Sequence, residues 1–470
     1  MRQHSRRSLW DLTGAAADDP ERFISDTSVR MSLAAVAKSA GRDGVASELR
    51  NQSVLISAHE QMTAALALIA LDGIARRIVL CPPDLASAHI PYVIATADVG
   101  AVISDHAPDT ADDRTTVRHV TCRPEDLTPV LRDEDRIATE WILFTSGTTG
   151  VPKMVVHTLD TLAGPVERIR ALGAGAVWST YYDIRRYGGL QILLRAFIGG
   201  GSIVLSSPRE SPAEYLARVA ANRVTHITGT PSHWRRALMS PVAKGISPRY
   251  ARMSGEIADQ AIIDRLRAFY PHATVAHAFA STEAGLAFDV DDGQAGFPAR
   301  LIAENGTTVA IRVRDGSMQI RSTRTALRYL GDDAPNLVDS EGFVDTGDII
   351  ERRGDRYYFA GRKQGIINVG GLKVHPEEVE AVINQHPDVQ MSLVKARANP
   401  ITGAIVVAEV VRQPPPGHDA ESSTGGTEEF KQEILALCRG ALAAYKVPVT
   451  IRVVAELDVG MSGKLARVRA

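Results

Sequence analysis

A loop rich in glycine and hydroxyl groups, TSGTTGVPK, lies between two apolar runs and ends at Lys153. Gly147 and Gly150 permit a close backbone approach to a ligand, and the lysine supplies a point charge for a phosphate. The hydroxyl donors of the loop are Thr145, Ser146, Thr148 and Thr149. The spacing differs from GxxxxGK[ST], which disfavours a Walker-type nucleotide fold. The pattern indicates either a phosphate-holding loop or an ordinary hairpin with an exposed lysine.

Four further polar segments follow in the order HAFASTEAG, VDTGDII, GRKQGIINVGGLKV and MSGKLAR. Each has a use if the ligand is a nucleoside triphosphate. Glu283 is a hard oxygen ligand suited to Mg²⁺, and Thr282 can hydrogen-bond a phosphoryl oxygen. Asp348 can accept from two ribose hydroxyls, while Arg362 adds a forked cationic donor. Lys464, between Gly463 and an apolar residue, can bridge a carboxylate and the α-phosphate.

The elements that position these segments follow two patterns. Short apolar runs with strand-like and helix-like periods alternate from residue 63 to 105 and again from residue 201 to 280, which predicts βαβ units and a largely parallel sheet. Beyond residue 285, Asp-Gly and Gly-Asp turns predict hairpins. We therefore predict an α/β protein with a large N-terminal domain, 1–361, of mixed, mostly parallel sheets and helices. This domain includes a small β-rich subdomain at about 286–361, and a small α+β C-terminal domain, 362–470, follows it.

Composition restricts the function classes. The 470 residues are enough for two or three domains. An apolar fraction of 44% and a charged fraction of 23% are those of a globular protein. With 53 basic and 55 acidic residues, we expect no bulk binding to nucleic acid or to an anionic membrane. The basic N-terminus lacks the apolar core of a signal peptide, and no uncharged apolar run is long enough to span a bilayer. We expect a cytoplasmic protein.

Taken together, the five motifs resemble those of the adenylate-forming enzymes, the superfamily of acyl- and aryl-CoA synthetases and of nonribosomal peptide synthetase adenylation domains. The resemblance runs from about residue 61 to residue 467. It implies that a carboxylic acid attacks the α-phosphorus of ATP, giving an acyl-adenylate and pyrophosphate. A thiol of CoA or of a carrier protein then displaces AMP. The expected cofactors are ATP, Mg²⁺ and CoA or a carrier-protein phosphopantetheine, and the expected class is an acid-thiol ligase.

The same resemblance assigns roles within an ATP site. The loop holds the β- and γ-phosphates, and the Ser254–Ile257 turn lines one face of adenine. Phe279 stands where an adenine-stacking aromatic is common, the alternative being a plain core aromatic. The implied ATP-binding residues are Thr145, Ser146, Gly147, Thr148, Thr149, Lys153, Gly255, Glu256, Phe279, Thr282, Asp348, Arg362 and Lys464. The implied catalytic residues are Lys464, Thr282, Glu283 and Arg362, with Glu283 as the Mg²⁺ ligand.

In this superfamily the small C-terminal domain is mobile and rotates between the two half-reactions. The resemblance implies that Lys464 enters for adenylation, whereas Gly370 and Gly371 line the thiol tunnel during thioester formation. The hinge position, commonly Asp or Lys, is Gln364 here. Ala280 also replaces a typical glycine, and the segment before Ser462 lacks the usual proline and threonine.

The acid pocket is expected from the segments STYYDIRRYGGLQILL and THITGTPSHW, and we assign Tyr182, Arg186 and His226 to it. Arg186 occupies the position of a histidine in many CoA synthetases and lies near that of an aspartate in amino-acid-activating domains. A cation there repels an ammonium group, which disfavours an α-amino acid. Arg186 either binds a second carboxylate or polar ring group, or faces solvent or pairs with Asp183. The aromatic residues nearby favour an aryl or modest cyclic acid.

Three functions remain open. The chain is an acyl- or aryl-CoA synthetase, or it loads a carrier protein in trans, since no carrier domain follows Lys464 in this sequence. The third is a nucleotide-binding protein without turnover, although such a protein has no need of Lys464. The phosphate loop begins early in the chain, so we expect a trimmed large domain.

Overall fold

The computed structural model describes residues 8–14, 19–38, 45–106, 117–121, 136–145, 151–167, 175–303, 308–413 and 426–467. The α-helices are α1 Leu9–Gly14, α2 Leu33–Lys38, α3 Val45–Glu48, α4 Gln61–Leu71, α5 Ile90–Ala97, α6 Leu159–Glu167, α7 Tyr187–Ile198, α8 Pro212–Ala221, α9 Pro231–Ala237, α10 Gln260–Phe269, α11 Arg300–Ala303, α12 Pro376–Ile383 and α13 Thr427–Ala441. The strands are β1 Phe23–Ser25, β2 Arg30–Ser32, β3 Ser53–Ile56, β4 Arg77–Leu80, β5 Ala101–Ser104, β6 Arg118–Thr121, β7 Glu140–Phe144, β8 Met154–His157, β9 Val177–Thr180, β10 Ser202–Val204, β11 His226–Gly229, β12 Tyr250–Ser254, β13 Thr274–Ser281, β14 Gly285–Val290, β15 Phe297–Pro298, β16 Val309–Arg314, β17 Ser317–Ser322, β18 Arg328–Tyr329, β19 Val344–Arg353, β20 Arg356–Arg362, β21 Ile367–Val369, β22 Leu372–Val374, β23 Val389–Asn399, β24 Gly403–Arg412 and β25 Thr450–Val454. Short 3₁₀ turns occupy Ser87–His89, Pro241–Gly245, Lys363–Gly365 and Ala444–Lys446.

Two large sheets form the N-terminal part. The first has the order β18-β8-β7-β4-β3-β5-β6 and is parallel from β7 to β6. The second has the order β14-β13-β12-β11-β9-β10-β1-β2, with β1 and β9 to β13 parallel and antiparallel strands at both edges. The carboxyl ends of parallel strands share one edge, so the loops that follow them are brought together there.

Two helices, α4 and α7, lie in the main hydrophobic core with apolar side chains of both sheets. All eleven residues of α4 are buried, as are most of those of α7, which matches their nearly continuous apolar sequences. Gly189 in the first turn of α7 has a steric reason: a Cβ there would lie 2.2 Å from the carbonyl oxygen of Asp183. Its close approach sets the loop 183–186 against the start of the helix.

The β-rich part is a five-stranded antiparallel sheet with the order β15-β20-β19-β17-β16. It begins at Phe297, slightly later than the sequence predicts, because β14 pairs with β13 as an edge strand of the eight-stranded sheet. The last sheet, β22-β21-β24-β23 with β25 beside β24, packs against α12 and α13 around its own hydrophobic core. The predicted fold class is confirmed.

Among the described residues, no helix combines the length and the apolar character that a bilayer crossing requires.

Candidate functional site

A buried carboxylate and an arginine face each other on the β-rich sheet. Asp348 of β19 and Arg362 of β20 are direct cross-strand partners, and Arg362 Nε donates to Asp348 Oδ1 at 3.1 Å. Burial raises the pKa of Asp348, while the Arg362 and Lys464 cations oppose that rise. The other oxygen, Oδ2, is buried and has no hydrogen-bond partner among the described residues. A buried acceptor left unpaired is costly, so this oxygen fits a ligand that brings its own hydroxyl donors.

Lys464 lies next to that carboxylate, although it is more than a hundred residues away in sequence. Its Cε is 3.5 Å from the position that a Cβ on Gly255 would take. Burial lowers the pKa of Lys464, and Arg362 adds to this, while Glu256 and Asp348 oppose it. Arg186 also lowers the pKa of Lys464, so the ammonium group feels two carboxylates and two guanidinium groups. It is available to a further anion.

The loop that carries Lys464 is docked on the N-terminal part by backbone contacts. Thr230 Oγ1 donates to the carbonyl of Gly463 at 2.5 Å, and the amide of Leu465 donates to Glu256 Oε1 at 2.9 Å. Glu256 Oε2 accepts from the amide of Ser232 at 3.0 Å. One oxygen of Glu256 thus holds the lysine loop while the other anchors the carboxylate to the start of α9, a role that the motif alone does not indicate.

Gly463 fits this docking because it has no side chain. Its φ is +75°, and a Cβ there would lie 1.8 Å from His233 Cε1. His233 belongs to the first turn of α9, where the Thr230 side chain caps the helix by accepting from the amide of His233. The turn of α9 and the lysine loop therefore interlock.

A second cluster surrounds Glu283, just after β13. Tyr329 Oη donates to Glu283 Oε1 at 3.3 Å, and Lys153 Nζ lies 5.2 Å from the centre of the Tyr329 ring. Burial and the neighbouring Glu283 raise the pKa of Tyr329 above its ordinary value. Tyr329 thus joins the phosphate loop to the acidic residue, and sequence reasoning missed it because it belongs to none of the five motifs.

His157 holds Thr282 from the other side. Its Nε2 donates to the carbonyl of Thr282 at 2.7 Å, and its Nδ1 lies 2.9 Å from Thr161 Oγ1. Burial lowers the pKa of His157 to about 4, so the imidazole is neutral at physiological pH. His157 lies four residues beyond Lys153 in the sequence, and a single buried histidine carries no signal that distinguishes it from a core residue.

The phosphate loop is described only at its two ends. The amide of Thr145 donates to the carbonyl of Lys153 at 3.1 Å, which closes the loop between the antiparallel strands β7 and β8. The predicted residues Ser146, Gly147, Thr148 and Thr149 lie outside the described residues.

Phe279 is half-buried on β13, with its ring stacked on Phe359 at 5.3 Å between centroids and an interplanar angle of 10°. Phe288 lies on the same cluster at 6.0 Å. These contacts account for Phe279 as a core aromatic, and its adenine-stacking role stays a prediction.

Two of the predicted acid-pocket residues lie near Lys464. Tyr182 is buried, and its hydroxyl donates to the carbonyl of Ser254 at 2.7 Å, directly before Gly255. Arg186 is the N-cap residue of α7 and pairs through Nη2 with Asp84, while its buried Nε has no hydrogen-bond partner among the described residues. The expected alternative partner, Asp183, is paired with the buried Arg185 instead.

His226 is not brought to this cluster. It is the first residue of β11, whereas Thr230, which contacts the lysine loop, follows the end of that strand. Four residues of strand span about 13 Å. His226 packs on Trp178 at 4.5 Å between ring centroids and contacts Thr225 through Nδ1. The acid-pocket assignment of His226 therefore stays a prediction, while His233 is the histidine of this segment that lies against Gly463 of the lysine loop.

Gly370 and Gly371 lie at the opposite end of the C-terminal sheet from Gln390, which contacts the N-terminal part. They form the exposed β21–β22 turn with φ of +58° and +87°, beside Gly403 at one end of the C-terminal sheet. The other end, at Gln390, accepts a hydrogen bond from Arg235 of the N-terminal part at 3.2 Å. Nine residues along β23 separate Gln390 from the partner of Gly403, a span of about 30 Å. Gln364 is exposed, two residues beyond the end of β20.

Family comparisons agree with this geometry. The model of the family described as AMP-binding enzyme matches residues 45–329. The chain belongs to this family. The model described as AMP-binding enzyme C-terminal domain matches residues 378–464, the part that contains the docked lysine. Both belong to the adenylate-forming superfamily, of acyl- and aryl-CoA synthetase type.

Individual relatives are distant. Benzoate–CoA ligase of Thauera aromatica is 26% identical over 350 residues, 69% of this chain and 64% of that protein. Nicotinic acid-CoA ligase olcI of Penicillium canescens is 27% identical over 290 residues, 55% of this chain and 50% of that protein. The chain thus spans half to about two thirds of the length of these relatives. The 2-succinylbenzoate–CoA ligase of Bacillus licheniformis is 25% identical over 88% of both chains.

Solved structures share the fold. The anthranilate CoA ligase AuaEII in complex with anthranoyl-AMP has a TM-score of 0.79 at 17% identity, covering 98% of this chain and 96% of that chain. ATP-bound MatB of Rhodopseudomonas palustris has a TM-score of 0.76 at 21% identity, covering 97% of both.

Proposed function

We propose that this protein uses ATP to convert a carboxylic acid to an acyl-adenylate and then transfers the acyl group to the thiol of CoA. The observation that carries the proposal is the docking of Lys464 against Gly255, beside the unpaired oxygen of Asp348. A nucleotide-binding protein without turnover needs the carboxylate but has no use for a second cation delivered from the C-terminal part. Family membership and the aryl-acid names of several relatives support the same class.

In the first half-reaction, Asp348 accepts hydrogen bonds from the ribose hydroxyls and Arg362 holds that carboxylate in place. A carboxylate oxygen of the acid attacks the α-phosphorus, and the bond from that phosphorus to the bridging oxygen of pyrophosphate breaks. Lys464 stabilises the negative charge shared by the carboxylate and the α-phosphate. Lys153 and the loop it closes hold the departing pyrophosphate in line.

Glu283 fits a role as a Mg²⁺ ligand, because its residue is half-buried and its carboxylate is held by Tyr329, whose ring also lies 5.2 Å from Lys153 Nζ. When bound, Mg²⁺ supplies positive charge that neutralises the phosphates. We assign Thr282 to a hydrogen bond with the α-phosphate, and the hydrogen bond from His157 to its backbone carbonyl supports a fixed position for it.

In the second half-reaction, the thiol gives its proton to water, its sulfur bonds to the acyl carbon, and the bond from that carbon to the phosphate oxygen of AMP breaks, so that AMP leaves with the electron pair. We propose that the C-terminal domain, 362–470, turns about Gln364 for this step, which brings the Gly370–Gly371 turn inward as the lysine loop leaves. The exposed position of that turn in the present orientation supports two separate orientations.

The proposed acid is an aryl or modest cyclic acid. Tyr181 stacks on His233 at 4.9 Å between centroids, and Tyr182 lies edge-on to the same ring at 6.0 Å. This aromatic wall stands beside the lysine loop. Arg186, with an unpaired Nε, can additionally bind a second carboxylate or polar ring substituent.

The test is pyrophosphate release from Mg-ATP with benzoate, nicotinate, anthranilate and 2-succinylbenzoate, followed by addition of CoA. We expect release with at least one acid and CoA-dependent AMP formation. Release without that dependence favours a carrier protein as the acceptor, and no release with any acid favours the binding protein without turnover. Lys464→Ala should lower adenylation at least ~100-fold, as removal of a charge-stabilising donor does. Lys431→Ala, a half-buried lysine of α13 that pairs with Glu428, serves as the control. Thioester formation from supplied acyl-adenylate should survive in Lys464→Ala; an equal loss of both half-reactions contradicts the assignment.

A further inference from the structure

Two histidines and an aspartate meet at an edge of the seven-stranded sheet, outside the site described above. His59 follows β3, and Asp105 and His106 follow the neighbouring strand β5. Because β3 and β5 are parallel, their carboxyl ends place these three residues side by side. One potential donor atom from each residue lies within 4.8 Å of the donor atoms of the other two.

The backbone holds this cluster in position. Asp105 Oδ1 accepts from the amide of His59 and Oδ2 accepts from the amide of Glu60, both at 2.8 Å. The carbonyl of His106 accepts from Ser104 Oγ at 2.7 Å. The carboxylate therefore sits at the start of α4 with a fixed orientation, and its oxygens keep further lone pairs for another partner.

The two imidazole rings are stacked, with 3.7 Å between centroids and an interplanar angle of 7°. His106 Nδ1 is 3.0 Å from Asp105 Oδ1, so two of the three potential donor atoms are already in contact. Ligand atoms around a tetrahedral ion lie about 3.4 Å apart, given bonds of about 2.1 Å. The donor atoms must therefore approach one another by roughly an ångström. Rotation of the imidazole rings about the Cβ–Cγ bond, which is a broad torsion, provides that adjustment.

We propose that His59, Asp105 and His106 form a binding site for a divalent transition-metal ion. Two imidazoles and one carboxylate favour Zn²⁺, Co²⁺ or Ni²⁺ over Mg²⁺, which prefers oxygen ligands. Three protein ligands leave a coordination position for water, and the exposed His59 gives the ion a path from solvent.

This site is distinct from the magnesium site proposed at Glu283. Glu283 follows β13 of the eight-stranded sheet and contacts Tyr329 of the edge strand β18, and β8, β7 and β4 separate β18 from β3 and β5 in the seven-stranded sheet. Strands are spaced about 4.8 Å apart, which puts β5 about 14 Å from β7. Occupancy of the new site does not depend on ATP or on the proposed reaction.

The experiment is equilibrium dialysis of untagged, EDTA-treated protein against Zn²⁺ or Co²⁺ without nucleotide, with metal analysis and the visible spectrum of bound Co²⁺. We expect the wild type and Glu283→Gln to bind one ion more per chain than His59→Ala. His119→Ala is the matched control, since His119 is an exposed histidine on the adjacent strand β6. Asp105→Asn should weaken metal binding at least tenfold. His59→Ala, at an exposed position, should keep the wild-type unfolding midpoint in EDTA.

Equal metal content in the wild type and His59→Ala would overturn the proposal, as would an equal loss of metal in His119→Ala. Loss of the ion in Glu283→Gln would place it at the nucleotide site instead.

Discussion

Gly463→Ala tests whether the contact between the lysine loop and α9 limits adenylation. The new Cβ would lie 1.8 Å from His233 Cε1, at a backbone φ of +75°. An L-residue in this left-handed region costs roughly 1–2 kcal/mol, equivalent to a loss of about 5- to 30-fold in rate. The overlap with the ring adds to this cost, because the ring is stacked on Tyr181 and has little room to move. We expect kcat/KM for pyrophosphate release to fall at least ~100-fold.

Two backgrounds separate the contact from the backbone strain. In a His233→Ala protein the ring is absent, so adding Gly463→Ala should cost only the ~5- to 30-fold that the left-handed backbone imposes. Thioester formation from supplied acyl-adenylate should change little, since the lysine loop is not docked in that step. Gly440→Ala in α13, where a Cβ meets no atom within 4 Å, is the control. If Gly463→Ala costs the same factor with and without His233, the ring contact does not govern docking and the reasoning fails.

Three further outcomes are expected. Asp348→Asn keeps the shape of the side chain but removes its charge. Because hydrogen bonds to a charged acceptor are the stronger ones, kcat/KM for ATP should fall about 10- to 100-fold. An unchanged kcat/KM in steady-state kinetics would mean that the ribose lies elsewhere. Asn384→Ala removes the 2.9 Å hydrogen bond from Nδ2 to Asp259 Oδ2, which joins the C-terminal and N-terminal parts of the chain. The substitution should slow pyrophosphate release several-fold while sparing thioester formation. Equal slowing of both reactions would show general damage to the protein. Because burial lowers the pKa of His157 to about 4, its neutral form is favoured in the folded state, so the stability it contributes is present above pH 6.5 and is lost as pH falls from 6.5 toward 4. The free energy of unfolding, from urea titrations, should fall less steeply over this range in His157→Gln; an unchanged slope would assign the dependence to other buried groups.

Much of the fold follows from local pattern. The alternation of apolar runs indicates βαβ units because buried parallel strands and the helices that cover them have different periods. The hairpins after residue 285 follow from turn chemistry, yet β14 joins the eight-stranded sheet. Pairing between strands depends on which edge is free, and that is a property of the assembled sheet.

Some residues of the candidate site can be predicted from the sequence and others cannot, because their neighbours also depend on the assembled sheets. Asp348 and Arg362 are found from their motifs and prove to be direct cross-strand partners. Tyr329 is missed because a tyrosine outside any motif reads as ordinary packing. His226 is assigned to the pocket because of the segment it belongs to. That segment includes the full length of strand β11, with His226 at its start, and only Thr230, after its end, reaches the lysine loop.

The sequence by itself determined the chemical groups of this protein: a loop of glycines and hydroxyl groups, carboxylates, a guanidinium group and a lysine beside a glycine. Their types and spacings are covalent facts that local chemistry is enough to interpret. Only the tertiary structure decided that Lys464 lies against Gly255 and that Glu256 serves the docking of its loop. These contacts join residues some two hundred positions apart, and such distances are set by the packing of sheets and helices, which no single segment specifies.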